Sequence, residues 1–320
     1  MLRRCPLGAL LAAVVIALAG WVVAPRSGEP ALIPAPPPAT CRSAPPTPAG
    51  WADYAADPAA RDLTPFQDYR EALGLGPGTR GDGVTIADVE YEWRPGHVEL
   101  AARGLLEAPP NSLRESFRAA DHGTAVLGLL GGTPDGRGVT GLVAGAELRP
   151  VSPFATGTYS PATAIASAAA GLGPGDVLLI ELQSQPDEAS PYLPIEAIDS
   201  ARDPVRTAIQ DAVRRGIVVV EPAGNGNVNL DTASRYPWLQ GPDAAGHSGA
   251  IIVGAGGSPT DDRGPSDLEW TSGSNYGSRV DVQGVGVAVV TSGYGSGEGE
   301  RLGGRGDTAY TACFDGTSSA

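Results

Sequence analysis

The chain has 320 residues, with 45 glycines, 30 prolines and 18% charged residues, which is the composition of a globular, loop-rich protein. Its net charge is −14, and all 22 basic side chains are arginines. That balance argues against a nucleic-acid partner, because phosphate binding needs a basic face.

In chain order the first element is a targeting segment. Arg3 and Arg4 precede an apolar run from Leu7 to Leu18, and Ala17-Leu18-Ala19 offers a small-x-small cleavage site. Residues 1–24 are therefore read as a signal peptide. The alternative is an uncleaved membrane anchor, since Leu7 to Ala24 is just long enough to span a bilayer. Either reading places the rest of the chain outside the cytoplasm, secreted or tethered, with membrane contact only through this segment. Residues 25–50 are proline-rich, cannot pack a core and are expected to form an extended linker. Cys5 lies in the leader, so the exported part keeps Cys41 and Cys313, either joined by a disulfide or standing as two unrelated thiols. Residues 51–80 form an N-terminal extension or a short prosegment, in which "DLTPFQDYREALG" reads as a helix.

From residue 81 to 320 two patterns alternate. "GVTIADV", "DVLLIEL", "IVVVE" and "AIIVGA" are short, continuous apolar runs of the kind buried on both faces of a sheet. "TAVLGLL" carries its apolar residues at helical spacing. "DPVRTAIQDAVRRG" is a marked helix: Asp203 caps it, Pro204 takes its first position, Gly216 ends it, and Val205, Ala208, Ile209, Ala212 and Val213 form one apolar face. The expectation is an α/β fold, a mostly parallel doubly wound sheet with helices on both faces. In such sheets, sites lie at the carboxyl ends of the strands.

The polar residues fall at those ends. Asp88 ends "VTIAD", His122 opens "HGTAVLGLL", Asn225 follows "IVVVEPAG", and Ser318 closes the chain. These are the parts of an acyl-transfer site. A serine needs a base to take its proton, the base needs a carboxylate to fix its tautomer, and an amide can donate to the developing oxyanion. Singly, each motif is more often a turn, a cap or a flexible loop; the joint order carries the reading.

That order and its flanks resemble the subtilisin-like serine proteases, the subtilases. "DHGTAVLG" is similar to the family's histidine motif, "PAGN" to its oxyanion-hole strand and "GTSSA" to its nucleophile motif. The connecting stretches "HVEL", "GRGVTGLVAGAEL" and "SNYGSRVDVQGVGVAVVTSGYG" are similar as well, so the resemblance spans 81–320. It implies Ser318 as nucleophile, His122 as general base, Asp88 as the carboxylate orienting His122, and Asn225 as oxyanion donor beside the Ser318 backbone N–H. It implies polypeptide substrates and no cofactor or catalytic metal. Calcium stabilises many such enzymes, but no stretch here has the carboxylate density of a dedicated loop. His97 is assigned to structure and His247 to the surface.

The sequence departs from the family in three places. The aspartate motif, usually Asp-Thr-Gly or Asp-Ser-Gly, reads Asp88-Val89-Glu90. Glu181-Leu182-Gln183 stands where Ser-Leu-Gly is usual, and Glu221-Pro222 stands where small residues are usual. In subtilases the latter two strands flank the pocket for the residue before the scissile bond. Glu181 and Glu221 are therefore candidates for carrying acid to the substrate, or simply acceptors for loop N–H groups. The family's serine also begins a long buried helix, so a chain ending at Ala320 is expected to be C-terminally incomplete and inactive as written. Two other functions stay open: an inactive subtilase-like binding module, and an acyl transferase on the same fold. A Gly-x-Ser-x-Gly hydrolase does not fit the motif or the triad order.

Overall fold

The computed structural model describes residues 80–107, 119–155, 159–185, 191–197, 203–232, 239, 247–257, 273–287, 289–294, 301–304 and 306–320. The leader, the linker and the extension expected over residues 1–80 lie outside them, apart from Arg80.

In chain order the main elements are β1 (Thr85–Val89), α1 (Ala119–Gly131), β2 (Glu147–Val151), α2 (Pro161–Ala170), β3 (Val177–Ile180), β4 (Gln183–Ser184), β5 (Leu193–Pro194), α3 (Pro204–Arg214), β6 (Val218–Pro222), β7 (Ile251–Gly256), β8 (Val282–Val285), β9 (Val289–Ser292), β10 (Arg301–Gly303) and β11 (Tyr310–Phe314). Among the described residues six strands form one sheet in the order β2-β1-β3-β6-β7-β8, and every neighbouring pair is parallel. A smaller antiparallel sheet, β10-β11-β9, carries the chain towards Ser318. This is the doubly wound α/β architecture expected from the alternating apolar runs.

Strand parity sorts side chains between the two faces of the large sheet. Ala87 and Val89 of β1, Leu178 and Ile180 of β3, and Val219 of β6 pack against α2 and α3. Ile86, Val177, Leu179, Val218 and Val220 belong to the opposite face, where Leu127 of α1 packs. The helix α3 forms as its caps dictate. The Asp203 side chain accepts from the Val205 N–H at 2.7 Å, Pro204 needs no donor at its position, and Gly216 takes φ +80° just beyond the end. Helix α2 has no such strong signal, being an alanine-rich run whose buried stripe is Ala164, Ile165, Ala168 and Ala169.

The described part of helix α1 already runs from Ala119, so His122 sits inside the helix rather than opening it. The helix is held against β9 by side chains. The Thr291 hydroxyl donates to the Ala125 carbonyl and the Ser292 hydroxyl to the Thr124 carbonyl, each at 2.7 Å. Those bonds anchor the base-bearing helix to the small sheet that leads to the nucleophile.

Candidate active site

The carboxyl edge of the large sheet holds the site. Strand β1 brings Asp88 and, two residues on, Glu90. By parity both face α1, together with Glu181 at the end of β3, which follows Val177 and Leu179 on that face. Asp88 is still inside the sheet, opposite Pro150 of β2 and Leu179 of β3. Glu90 lies one pleat further, about 6–7 Å along the strand direction, where the chain leaves the sheet.

That extra pleat decides which carboxylate meets the base. His122 Nδ1 lies 2.7 Å from Glu90 Oε2. Glu90 Oε1 accepts the Tyr91 N–H at 2.6 Å, so both carboxylate oxygens are engaged. Asp88 is fully buried and neither of its oxygens has a hydrogen-bond partner. The expectation that Asp88 orients His122 is therefore corrected: Glu90 does so, because Asp88 is set back in the sheet. The sequence held the signal. Where the family has a glycine two residues after its aspartate, this chain has a carboxylate on the same face.

The electrostatics follow the geometry. Burial, and then the neighbouring Glu90 charge, push the Asp88 carboxyl well above its ordinary range, so it keeps its proton. Burial acts to lower His122, but the charge and hydrogen bond of Glu90, with a contribution from Glu181, outweigh it and leave the imidazole above its ordinary value. With Nδ1 against Glu90, Nε2 is the ring nitrogen that would act on a nucleophile. The Phe314 ring packs edge-on against the imidazole, with centroids 5.5 Å apart, and fixes its plane. Gly123 is required beside it, because a methyl there would run into the Glu92 carbonyl and the Glu90 side chain.

Ser318, His122, Asn225 and Glu181 line one cavity of about 770 Å³. Asn225 reaches it on the loop after β6, across the left-handed Gly224 at φ +89°. Its Oδ1 accepts from the Thr317 N–H at 2.9 Å and from the Thr317 hydroxyl at 3.0 Å. That assigns the amide: Nδ2 is left as the donor. The nucleophile loop is itself pinned. The Gly316 N–H donates to the Gly286 carbonyl at 2.9 Å, and Gly316 takes φ +101° against the Asn225 amide. Cys313, on the strand leading in, is disulfide-bonded rather than a free thiol, with its partner outside the described residues.

Glu181 is buried in the cavity wall. Ser318 stands in the same cavity wall, and Oε2 of Glu181 has no partner. Glu221 is not in the cavity, which corrects its reading as a pocket candidate. It shares the sheet face of Val219, opposite to that of Glu181, and is buried beside Glu196, whose carboxylate is 3.1 Å from the buried Arg279 guanidinium. Burial, and then Glu196, push Glu221 well above the usual carboxylate range, with Arg279 acting against them. His97 is also buried and away from the cavity, its Nε2 2.9 Å from the Ala309 carbonyl and its ring edge-on to Tyr310. His247 is half-buried, and its Nδ1 accepts the Gly249 N–H.

The remaining cavity wall is largely aromatic. Tyr91 stacks on Tyr159 at 6.2 Å, and Phe154 packs against Tyr159 at 5.3 Å. Tyr192, Leu182, Pro222 and the amides Gln183 and Gln185 complete most of the rest, with the exposed Asp315 at the rim. Among the described residues no group of three or more His, Cys, Asp or Glu side chains has the arrangement to hold a metal ion.

A doubly wound parallel sheet with a serine, an imidazole and a buried carboxylate at its carboxyl edge defines a class by architecture, the subtilase-like fold. Among solved structures, the PatG macrocyclase in complex with peptide is similar at TM-score 0.51 and 15% identity, over 82% of this chain and 79% of that one. A cold-adapted subtilisin-like serine proteinase matches at TM-score 0.46 and 19% identity, over 75% of this chain and 72% of that one. The self-cleaved protease domain of PatA matches at TM-score 0.48 and 17% identity, over 75% and 76%. The likeness to PatG is one of fold. No family model and no curated protein matches the sequence.

Proposed function

We propose that this protein is a serine peptidase whose triad is Ser318, His122 and Glu90, with Asn225 as an oxyanion donor. The observation that carries the reading is the 2.7 Å contact between His122 Nδ1 and the buried Glu90 carboxylate, in a site where Ser318 and Asn225 line the same cavity as His122. Ser318 Oγ adds to a substrate carbonyl carbon as its proton passes to His122 Nε2. Glu90 stabilises the imidazolium so formed, and the oxyanion takes hydrogen bonds from Asn225 Nδ2 and the Ser318 backbone N–H. Collapse of the adduct returns the proton to the leaving amine and leaves an acyl-enzyme, which water cleaves by the reverse sequence.

Polypeptides are the substrate class that fits the cavity's size and its aromatic walls, and the peptide held by the PatG macrocyclase supports that reading. Glu181, buried and pushed towards its neutral form, does not favour a basic side chain, so cleavage beside neutral, apolar residues is expected. Secretion or membrane tethering through residues 1–24 belongs to the same proposal.

The test is hydrolysis of a denatured protein such as casein, together with a neutral peptide library, by the full-length protein. Turnover that disappears in Ser318→Ala and in His122→Ala supports the reading. Equal turnover in the Ser318→Ala protein sinks it.

A further inference from the structure

The triad leaves one buried acid unaccounted for. Glu181 lines the same cavity as Ser318 and His122, lies on the same sheet face as Asp88 and Glu90, and has a buried oxygen without a partner. A third carboxyl beside a serine nucleophile is not needed to build the fold. On β3 itself the face it occupies is apolar below the site, with Val177 and Leu179 preceding it. It sits where the proton of the first step begins its path.

We propose that Glu181 is a catalytic residue that gates the nucleophile by its own protonation. While neutral, it holds the Ser318 hydroxyl weakly and releases it to His122; once ionised, it keeps the hydroxyl proton and shuts attack down. The inference deepens the peptidase reading and rests on it.

The chemistry is a single proton equilibrium with solvent. Neutral Glu181 is a modest acceptor, so the Ser318 O–H can rotate to His122 Nε2 at little cost. The carboxylate is a charge-assisted acceptor, about twice as strong, and it competes with the imidazole for the same hydrogen. It also sets a negative charge beside the oxygen on which the reaction depends. The groups facing Glu181 are Asp88 and Glu90 from β1 and its exit, His122 from α1, and Ser318. Burial foremost pushes Glu181 well above the usual carboxylate range; the neighbouring acids Asp88 and Glu90 act in the same direction, while His122 and Ser318 act against it. The neutral, permissive form is therefore the one that persists as pH rises past the range of ordinary carboxylates. Each of the three acids has its own place: Asp88 protonated within the sheet, Glu90 on the base, and Glu181 at the switch.

The consequence is a bell-shaped dependence on pH. The rising limb follows loss of the proton from His122, and the falling limb follows loss of the proton from Glu181. The experiment is the rate of labelling of the full-length protein by a fluorophosphonate probe, measured across pH for the wild type and for Glu181→Gln. The wild type is expected to lose about tenfold in rate for each pH unit beyond its upper midpoint, as a single ionisation dictates. Glu181→Gln is expected to keep the rising limb and to show no fall.

An unchanged falling limb in Glu181→Gln overturns the proposal. Should the variant not fold, infrared difference spectroscopy of the wild type decides. A protonated-carboxyl carbonyl band must disappear over the same pH range as the rate, and Ser318→Ala must shift it. A rate that falls with no such band lost overturns the proposal as well. The peptidase reading fails by a different result, namely labelling that persists in Ser318→Ala.

Discussion

Replacing Glu90 by Gln removes one oxygen's charge from beneath the base and changes almost no volume. The carboxylate is fully buried, and the imidazole it serves is only 15% exposed, so the pair is poorly screened by solvent. With charge centres about 4 Å apart, an effective dielectric constant near 20 makes the imidazolium–carboxylate attraction about 4 kcal/mol. Above the rising limb the imidazolium forms only in the transition state and the intermediate, so that energy appears in the rate as roughly a 10³-fold loss. An amide that turns its NH₂ towards Nδ1 also selects the wrong tautomer, which carries the loss towards about 10⁴-fold. Asp88→Asn provides the contrast. A neutral buried acid becomes a neutral amide, so kcat/KM should stay within about tenfold of the wild type, the equivalent of some 1.4 kcal/mol. The assay is steady-state hydrolysis of one peptide substrate by both variants at a pH above the rising limb. A collapse of activity in Asp88→Asn with near-normal activity in Glu90→Gln would refute the assignment of the orienting carboxylate.

Three other outcomes follow from the same geometry. Gly123→Ala should lower both melting temperature and kcat, although alanine is the better helix former by roughly 1 kcal/mol, because the added methyl meets the Glu92 carbonyl and displaces Glu90; a rise in melting temperature with full activity contradicts this. Asn225→Asp keeps the acceptor for Thr317 but loses the Nδ2 donor, so kcat should fall about 10²–10³-fold with KM little changed, as steady-state kinetics would show. The folded state holds protons on Asp88, Glu181 and Glu221 above the pH at which the unfolded chain releases them. Stability should therefore fall as pH rises from about 4, by up to roughly 1.4 kcal/mol per group per pH unit, until each raised folded value is passed. Urea midpoints should accordingly be lower at pH 7 than at pH 5, and Asp88→Asn should narrow that difference.

The fold was legible where local chemistry and burial agreed. Asp203-Pro204 wrote the start of α3, and the unbroken apolar runs wrote β1, β3, β6 and β7 as strands buried on both faces. Helix α2 was not legible, because an alanine-rich run with one isoleucine has a weak apolar face and finds its place only by packing on the sheet. In the site, His122, Asn225 and Ser318 were marked by their flanks, which are set by local backbone needs such as Gly123, Gly224 and Gly316. The carboxylates were harder, because their roles depend on how far a strand extends and which face each residue takes. Asp88 and Glu90 share a face and differ by one pleat. Glu181 and Glu221 both sit near strand ends, but one residue out of step in the register and so on opposite faces. Parity counted from the apolar partners Leu179 and Val219 separates them, but only once the packing of both faces is known.

Every catalytic role assigned here depends on Ser318 being a nucleophile activated by His122. The most direct measurement is to treat the full-length protein with a fluorophosphonate probe, digest it and locate the adduct by mass spectrometry. One adduct on Ser318, absent from Ser318→Ala and strongly slowed in both His122→Ala and Glu90→Gln, is the predicted result. An adduct on another residue, or labelling of Ser318 at the wild-type rate without His122, would contradict it.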